Sequence, residues 1–364
     1  MVTPRYFPST GGTELHIREV ATRLLAAGHR VTVITGDATG TLPRSEVHLG
    51  VRIWRVPAWN GRADLHFAPK LPTLVRRGNW DVVHCQGYHT LMPPLAMWAA
   101  LHARIPYVLT FHGGGHSSTL RNRVRATQAQ LLRPLLFRAD RLIALANFEL
   151  ELFGDKLRIP RNHFVLIPNG ADLPSTAGPV PNGSPRTTIA SVGRLERYKG
   201  HHRLIAALPA ILEDCPDAHV WIAGSGPFEP ELLRQAHALG VAHRVTIKSI
   251  PSSNRQAMAQ ELSKTALVVL LSEYETQPIA VLEGLALGRP ALVADTSGLS
   301  ELARRGLARA VPLDCPPRQL AAAVVHQLRD PLLPPADLRL PTWDDCASQL
   351  ESLYQQIARR SACA

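Results

Sequence analysis

Short apolar runs alternate with helical patterns on both sides of a single Pro-, Gly- and Ser-rich stretch, and this alternation constrains the fold strongly. Apolar runs that are bounded by turn residues and followed by helical patterns are typical of βαβ units with parallel sheets. The stretch PSTAGPVPNGSPR, residues 174–186, has no apolar periodicity and is predicted to be a linker. At 364 residues the chain exceeds the usual size of one domain, so two α/β domains are predicted.

The strands are predicted from apolar runs of three to six residues that end at turn residues. In the first half they cover residues 30–35, 52–56, 82–85, 107–111, 141–144 and 164–167. In the second half they cover residues 187–192, 219–223, 245–247, 266–271 and 291–294. A first helix is predicted over residues 13–27, because Gly28 is a typical C-terminal signal.

The composition indicates a well-packed globular protein, with 45% hydrophobic and 19% charged residues. No segment approaches the roughly 18–20 apolar residues of a membrane-spanning helix. The opening MVTPRYFP lacks the basic start and apolar core of a signal peptide. The five cysteines are scattered without CxxC spacing, which favours free thiols over disulfides or a zinc cluster. A cytoplasmic protein is therefore predicted.

The formal net charge of +11 does not indicate a nucleic-acid partner. Only five of the 40 basic residues are lysines, and the arginines are spread through an alanine-rich chain. This bias is typical of a GC-rich genome, and none of the standard nucleic-acid motifs is present. A positive protein still attracts anionic substrates and anionic membrane surfaces.

Two carboxylates eight positions apart mark the junction of an apolar run and a predicted helix in SEYETQPIAVLEGLALGRP. Glu275 precedes the helix, and Glu283 lies in its first turns. The free N–H groups at a helix N-terminus, here around Ile279 and Ala280, form an anion site. Carboxylates can accept hydrogen bonds from sugar hydroxyls, and neighbouring amides can bind phosphate, so the two together suit a nucleotide sugar. The alternative is a solvated Glu275 and a Glu283 that complements the helix dipole.

Two basic residues follow the predicted strand 187–192 in ASVGRLERYKGHHRLIAAL. Arg194 and Lys199 stand between that strand and an apolar-periodic helix, where they can neutralise a diphosphate. Arginine contributes a planar fork of donors and lysine a point charge. The segment lacks the GK[ST] ending of a P-loop, and an ordinary basic loop is the alternative.

Together these two segments resemble the retaining glycosyltransferases of glycosyltransferase family 4. That family has a glycine-arginine-leucine turn with a lysine-glycine pair five residues on, then a Glu-x7-Glu motif ahead of an alanine- and glycine-rich helix. The resemblance extends along nearly the whole chain. Its further segments, in order, are PRYFPSTGGTELHIREVATRLLAAGHRVTVIT, WDVVHCQG, YVLTFHGGG, FVLIPNGAD, VWIAGSGP and TWDDCASQLESLYQQI.

The resemblance implies an α/β protein with the GT-B fold, in which two Rossmann-like doubly wound domains face an interdomain cleft. Residues 1–173 would form the N-terminal acceptor-side domain and residues 187–340 the C-terminal donor-binding domain. Residues 341–364 would form a C-terminal helix that crosses back to the N-terminal domain.

The implied reaction is retaining transfer of a sugar from a nucleoside-diphosphate sugar, with UDP- or GDP-linked donors expected, to an acceptor hydroxyl. Arg194 and Lys199 would stabilise the charge that grows on the leaving phosphate. Glu275 would accept hydroxyls of the transferred sugar. His112, after the strand 107–111, would contact the donor sugar near the reacting carbon, whereas a lone histidine is more often structural.

The resemblance also assigns the remaining donor contacts. Glu283 would bind the ribose hydroxyls, and the base would lie near Ile250 in the loop after the third strand of the second domain. Further donor-binding residues would be Gly11, Gly12, Gly224, Gly226, Gln277, Ile279 and Ala280. For the four glycines, ordinary tight turns are the alternative.

No metal ion is expected, and no cofactor beyond the nucleotide sugar as cosubstrate. The expected partners are this donor and a sugar, lipid-linked or small-molecule acceptor, without nucleic acid. The arginine-rich amphipathic pattern of residues 121–141 is expected to pack on the first domain. Its alternative is docking at the inner face of a membrane, which leaves peripheral membrane association open.

The chain departs from the family pattern at two places. Gln277-Pro278 replaces the usual aromatic-glycine pair, and Pro278 removes one N–H from the expected amide cradle. Only Val2 and Thr3 precede Pro4 where the family has a full first strand. Two alternatives therefore stay open: a nucleotide-sugar epimerase or hydrolase of the same fold, and a non-catalytic donor-binding partner subunit.

Overall fold

The computed structural model describes residues 1–9, 11–59, 66–113, 119–174, 187–251 and 254–362, with the backbone alone for 119–126 and 361–362. Most of the predicted linker, residues 175–186, lies outside this description. The chain forms two compact units. The first comprises Met1–Gly113, Ser118–Gly170 and Pro341–Ala364, and the second includes Ala171–Leu340. The second unit is thus inserted into the sequence of the first.

The first unit is built on an eight-stranded sheet with the order β3-β4-β2-β1-β5-β6-β7-β8. All neighbours are parallel except β3 and β4, which pair antiparallel at one edge. The strands are β1 (Val2–Thr3), β2 (Thr32–Asp37), β3 (Ser45–His48), β4 (Val51–Pro57), β5 (Val83–Gln86), β6 (Tyr107–Thr110), β7 (Arg141–Ala144) and β8 (Phe164–Leu166).

The helices of the first unit pack on this sheet over two apolar clusters. They are α1 (Gly12–Ala26), α2 (Leu71–Arg77), α3 (Met92–His102), α4 (Thr119–Phe137), α5 (Asn147–Leu157) and, from the end of the chain, α12 (Trp343–Ala362). The larger cluster contains the stacked rings of Phe111 and Phe153, with centroids 4.0 Å apart. Burial on both faces explains why β5 and β6 are buried at every position.

The second unit has a six-stranded, wholly parallel sheet with the order β11-β10-β9-β12-β13-β14. Counted from β9, this is the 3-2-1-4-5-6 order of a Rossmann fold, whose direction of winding reverses between β9 and β12. The strands are β9 (Thr188–Val192), β10 (His219–Ala223), β11 (Val245–Ile247), β12 (Leu267–Leu270), β13 (Ala291–Ala294) and β14 (Arg309–Val311). The predicted class, α/β with two Rossmann-like doubly wound domains, is confirmed.

The helices of the second unit cover both faces of its sheet around one continuous core. They are α6 (His201–Asp214), α7 (Glu229–Ala238), α8 (Arg255–Ser263), α9 (Ile279–Ala286), α10 (Ser297–Arg304) and α11 (Pro317–Arg329). Among the helices that the structure describes, none combines the length and apolar character needed to cross a membrane.

The last helix is anchored to the first unit. A Cβ added to Gly170 would lie 2.2 Å from the backbone N and 2.5 Å from the Cγ of Trp343, so the two residues are in the closest contact that a glycine allows. Trp343 is buried, and Arg23 on α1 pairs with Asp344 at 2.5 Å. Farther along α12, Glu351 lies 2.9 Å from His29. Helix α12 therefore belongs to the hydrophobic core of the first unit.

Three strands were not predicted: β1, β3 and β14. The edge strands β3 and β14 are exposed in part and have no long apolar run. Strand β1 contains only Val2 and Thr3, yet Val2 pairs with both Ile34 of β2 and Cys85 of β5. The short start thus supplies a central strand of the sheet.

Candidate active site

The loops after β9 and β12 lie side by side at the carboxyl edge of the second sheet. The two strands pair in parallel, with Leu267 opposite Ile189, so the segments after Val192 and Leu270 leave at the same edge. Open α/β sheets bind ligands at this edge, at the point where the winding reverses. Arg194 and Lys199 lie in the first loop and Glu275 in the second.

Lys199 and Glu275 are joined by an ion pair. The Nζ atom of Lys199 lies 2.5 Å from Oε1 of Glu275, and 16% and 11% of the two side chains are exposed. The Ser272 hydroxyl donates to the same Oε1 at 2.7 Å. Two donors therefore hold one carboxylate oxygen in a largely solvent-excluded place, where a charge needs such partners.

Gly200 explains how the two loops approach so closely. It has φ +78°, which favours glycine, and a Cβ there would lie 2.0 Å from the carbonyl oxygen of Leu271. The Glu273 N–H also donates to the Tyr198 carbonyl at 2.8 Å. A side chain at position 200 would push Lys199 away from Glu275.

Arg194 is held by its own loop. Its Nη2 donates to the Tyr198 hydroxyl at 2.8 Å. Its carbonyl accepts a hydrogen bond from Nε2 of His201 at 3.2 Å, and Nδ1 of His201 lies 2.8 Å from the Ser191 hydroxyl. A carbonyl only accepts, so Nε2 bears the proton and Nδ1 accepts from Ser191. Burial lowers the pKa of His201 to about 4, so the ring is neutral near pH 7.

The loop that contains Glu275 is fixed from α10. The Glu275 N–H donates to the Ser297 hydroxyl at 2.8 Å, and its carbonyl accepts from the Gly298 N–H at 2.9 Å. A Cβ on Gly298 would lie 2.0 Å from the Thr276 carbonyl oxygen. Backbone contacts on both sides of the residue thus set the direction of the Glu275 side chain.

Glu283 lies in the second turn of α9, and 3% of its side chain is exposed. Its Oε1 pairs with Nη2 of Arg255, the first residue of α8. The two acidic residues of the Glu-x7-Glu motif are therefore both paired with a cation, but with different ones.

The amide cradle predicted at the start of α9 differs from the expectation in one group. The Ile279 N–H is not free, because it donates to the Gln277 carbonyl at 2.9 Å in a tight turn that Pro278 allows. The next N–H, that of Ala280, donates to no acceptor within the part of the chain that the structure describes. The anion site therefore offers one N–H donor fewer than the sequence predicts.

Gly224 and Gly226 lie against the loop that contains Arg194. A Cβ on Gly224 would lie 1.9 Å from the Gly193 carbonyl oxygen, and one on Gly226 2.5 Å from that of Leu195. These glycines let two backbone segments pack together, and this packing alone is enough to explain why both positions are glycine. Ile250 lies beyond the end of β11 and is partly buried.

His112 belongs to the first unit, directly after β6 and Phe111. It has φ +44°, a strained backbone for a residue with a side chain. Its Nε2 lies 2.6 Å from Oε1 of Gln86, and its ring meets the edge of His16 with centroids 4.8 Å apart. Burial lowers the pKa of His112 well below its usual value of 6.5, so its ring is also neutral near pH 7.

A buried carboxylate fixes the backbone beside His112. Glu149 on α5 is fully buried and accepts from the Gly113 N–H at 2.7 Å and the Leu145 N–H at 2.9 Å. Gly11, also in the first unit, precedes α1 as its N-cap residue, and Gly12 is the first residue of that helix. Gly11 is extended, and a Cβ on Gly12 would meet nothing within 4 Å, so neither backbone requires glycine.

The structure thus brings Arg194, Lys199 and Glu275 to one edge of the second sheet, with Glu283 nearby on α9. His112, Gly11 and Gly12 belong to the first unit, where His112 and Gly11 lie in loops and Gly12 begins α1. Sequence reasoning missed the supporting residues Tyr198, Ser272, Arg255, Gln86 and Glu149. Tyr198 and Ser272 stand inside the motif segments and could have been inferred from their hydroxyls, whereas the others had no local signal. Within the described ranges, no group of three or more His, Cys, Asp or Glu side chains is arranged to hold a metal ion.

Comparison with known proteins supports a sugar-transferring enzyme. Residues 10–174 match the family model described as Glycosyltransferase Family 4, and residues 179–338 match Glycosyl transferases group 1. A glycogen synthase of Mycobacterium tuberculosis is 32% identical over 91% of this chain and 86% of its own length. A phosphatidyl-myo-inositol mannosyltransferase of Mycobacterium leprae is 28% identical over 98% of this chain and 96% of its own.

Solved structures share the fold. A sucrose-phosphate synthase from Thermosynechococcus elongatus superposes with a TM-score of 0.71 at 21% identity, over 99% of this chain and 96% of its own. Anabaena HepE in complex with UDP and glucose superposes with a TM-score of 0.68 at 20% identity, over 99% and 97%. With two Rossmann-like domains and relatives that match almost end to end, the chain belongs to the glycosyltransferases and has their GT-B fold.

Proposed function

We propose that this glycosyltransferase is a retaining enzyme of glycosyltransferase family 4, which transfers a sugar from a UDP- or GDP-linked donor to an acceptor hydroxyl. The observation that carries the proposal is the Lys199–Glu275 ion pair at the reversal point of the second sheet. A fixed cation and a fixed carboxylate at that point match the two ends of a sugar phosphate, since the cation binds phosphate and the carboxylate accepts hydroxyls.

In this proposal Lys199 and Arg194 neutralise the donor diphosphate. Negative charge grows on the leaving phosphate as the glycosidic bond breaks, and cations fixed beforehand stabilise that state by about 3–4 kcal/mol per group. The hydrogen bond that Arg194 donates to the Tyr198 hydroxyl and the one that its carbonyl accepts from His201 supply the fixation. No metal ion is proposed, because the two side chains provide the positive charge.

Glu275 binds the hydroxyls of the transferred sugar, and Glu283 binds the ribose. The donor is also contacted by Gln277, Ala280, Gly224 and Gly226, and its base lies beside Ile250. His112 acts near the reacting carbon as a neutral ring, in keeping with its lowered pKa. The relatives support a nucleotide-sugar donor, since one is a mannosyltransferase and one solved neighbour contains UDP and glucose.

Retention is proposed to follow a front-face course. The leaving phosphate takes the proton of the acceptor hydroxyl while the new glycosidic bond forms on the face that the phosphate leaves. No side chain is assigned as a nucleophile. Proton NMR of the product tests this step, since an inverted anomeric configuration would refute it.

A thermal-shift screen with UDP, GDP, dTDP and their sugars tests the donor class, because a ligand that binds the folded protein raises Tm by an amount that increases with the ratio of its concentration to its Kd. Glu275→Gln should reduce the additional shift with the nucleotide sugar more than it changes the shift with the free nucleoside diphosphate. Glu273→Gln, an exposed neighbour in the same loop, is the matched control. If none of these nucleotides raises Tm, the proposal that the protein binds a nucleotide-sugar donor is refuted.

Product analysis separates the proposal from its alternatives. An epimerase or hydrolase would consume donor without an acceptor, and a non-catalytic partner subunit would bind donor without consuming it. Consumption that depends on an added acceptor supports the transferase.

A lipid-linked acceptor and a peripheral, cytoplasmic-face location are favoured by the surface of α4. Leu131 and Phe137 are 76% and 47% exposed, and Arg138 is exposed beside them. Apolar side chains next to cations suit an anionic bilayer surface. Flotation with vesicles of phosphatidylcholine and phosphatidylglycerol tests this association with membranes. The double variant Leu131→Ser, Phe137→Ser should no longer float with the vesicles. Equal recovery of the wild type and the double variant with the vesicles would refute the association.

A further inference from the structure

We propose that Arg255 is a positioning residue of the donor site, which holds Glu283 in the orientation that ribose binding requires. The inference rests on the proposed function, because it assumes that Glu283 accepts the ribose hydroxyls. Arg255 itself lies outside both motif segments and is brought to Glu283 only by the fold.

The contact joins two different helices. Arg255 begins α8, and its Nη2 donates to Oε1 of Glu283 on α9, 28 positions away. The side chains are 16% and 3% exposed, so water screens the pair poorly. A carboxylate buried to this degree needs a cation or several donors to stay ionised. Arg255 supplies such a cation to the buried Glu283 side chain.

The position of Arg255 in its own helix is unfavourable for a cation. The N-terminus of a helix has a partial positive charge, which favours acidic side chains there. The first turn of α8 contains none, and its cap is the neutral Asn254, whose Oδ1 accepts from the Ala257 N–H at 3.0 Å. The positive charge of Arg255 therefore does not stabilise helix α8. Its favourable electrostatic interaction is the ion pair with Glu283.

The geometry suits a supporting function. An ionised carboxylate has about four acceptor sites, so a hydrogen bond from Arg255 leaves capacity for ribose hydroxyls. The planar guanidinium orients the carboxylate, which a lysine would do less well. It also offsets the repulsion between Glu283 and a diphosphate, which would otherwise act through a poorly screened medium. Helix α8 follows the loop of Ile250, so one segment serves the base and the ribose.

The test compares two ligands that differ only in the ribose hydroxyls. Calorimetry gives the Kd of UDP, or of GDP if it stabilises the protein more, and of its 2′,3′-dideoxy analogue. Two hydrogen bonds to a charged acceptor predict a preference of at least about tenfold for the hydroxylated ligand. Arg255→Met should remove most of this preference and raise KM for the donor with kcat nearly unchanged. Arg255→Lys should restore part of it.

The controls separate the two hypotheses. Arg234→Met removes an exposed arginine that pairs within α7 and should keep the full preference. If Glu283→Gln also keeps it, the assigned function of Glu283 is wrong. If Glu283→Gln loses it and Arg255→Met keeps it, only the inference about Arg255 is overturned. Should Arg255→Met not fold, an Arg255→Lys protein with an undiminished preference would overturn it as well.

Discussion

Lys199 and Glu275 lie 76 positions apart in the chain, yet Nζ of one is 2.5 Å from Oε1 of the other. Each is therefore the other's nearest charge before any substrate binds. A donor whose phosphate binds Lys199 and whose sugar hydroxyls bind Glu275 must either contact the intact ion pair or break it. The pair keeps both side chains ordered in advance, which lowers the entropy lost when the donor binds.

Lys199→Ala is expected to lower kcat/KM by a factor of about 10²–10³, because one fixed cation at the leaving phosphate is worth about 3–4 kcal/mol. Steady-state kinetics with the donor found in the screen measures this. Arg203→Ala is the control, since Arg203 pairs with the more exposed Glu273 at 3.3 Å and should change the rate little. Normal transfer by Lys199→Ala would disprove the assigned function of Lys199.

Gln86→Glu is expected to change the pH dependence of transfer. Gln86 is buried beside Nε2 of His112, and a carboxylate there would raise the pKa of the imidazole. If the neutral ring is the active form, the variant should lose more activity at pH 6 than at pH 8. Gln86→Met removes the hydrogen bond without adding a charge and should lower the rate evenly. Parallel pH profiles for wild type and Gln86→Glu would contradict this function of His112.

Stability is expected to fall as the pH is lowered from about 6.5 to 4. Burial lowers the pKa values of His16, His201 and His202 to about 4, and those of His84 and His112 well below 6.5. The unfolded chain, with ordinary histidines near 6.5, binds more protons in this window. Unfolding is therefore favoured as the pH falls and disfavoured as it rises.

Tm measured between pH 4.5 and 8 checks this expectation. Asp37 and Asp345 have pKa values below the usual 3.8, so the stability they contribute is lost only at lower pH. His201→Gln, which does not titrate, should make the fall below pH 6.5 shallower than in the wild type. A Tm that stays constant or increases from pH 6.5 to 4.5 would show that the buried rings are not neutral.

Gly170→Ala is expected to destabilise the first domain. The added Cβ would lie 2.2 Å from the backbone N of Trp343, so the turn and the start of α12 must separate. Such overpacking costs about 1–3 kcal/mol, or a Tm lower by roughly 2–10 °C. Gly12→Ala is the matched control, since its Cβ would meet nothing within 4 Å. Equal Tm values for the two variants would mean that α12 is not tightly anchored.

Much of the fold could be predicted because its signals are local. Buried parallel strands such as β6 and β12 are continuous apolar runs, and Gly28 marks the end of the first helix. The edge strands β3 and β14 are exposed on one side and have no such run. The central place of β1 could not be read from Val2 and Thr3, because it depends on pairing with residues far along the chain.

The candidate site divides in the same way. Glu275, Glu283, Arg194 and Lys199 could be selected because each lies in a motif at the end of a predicted strand or the start of a helix. The partners of these residues could not. The pairing of Glu283 with Arg255 and the tight turn that engages the Ile279 N–H both depend on how separate loops meet.

The placement of Trp343–Ala362 inverts the order in which the two domains can mature during synthesis. The inserted domain, Ala171–Leu340, is a continuous stretch and can finish folding as soon as it leaves the ribosome. The domain that begins the chain must wait, since its α1 packs against a helix made from the final 20-residue segment. At roughly 5–20 residues per second this wait lasts about ten seconds or more. A released protein truncated after residue 340 should accordingly yield a protease-resistant second domain beside a first domain that is still cleaved.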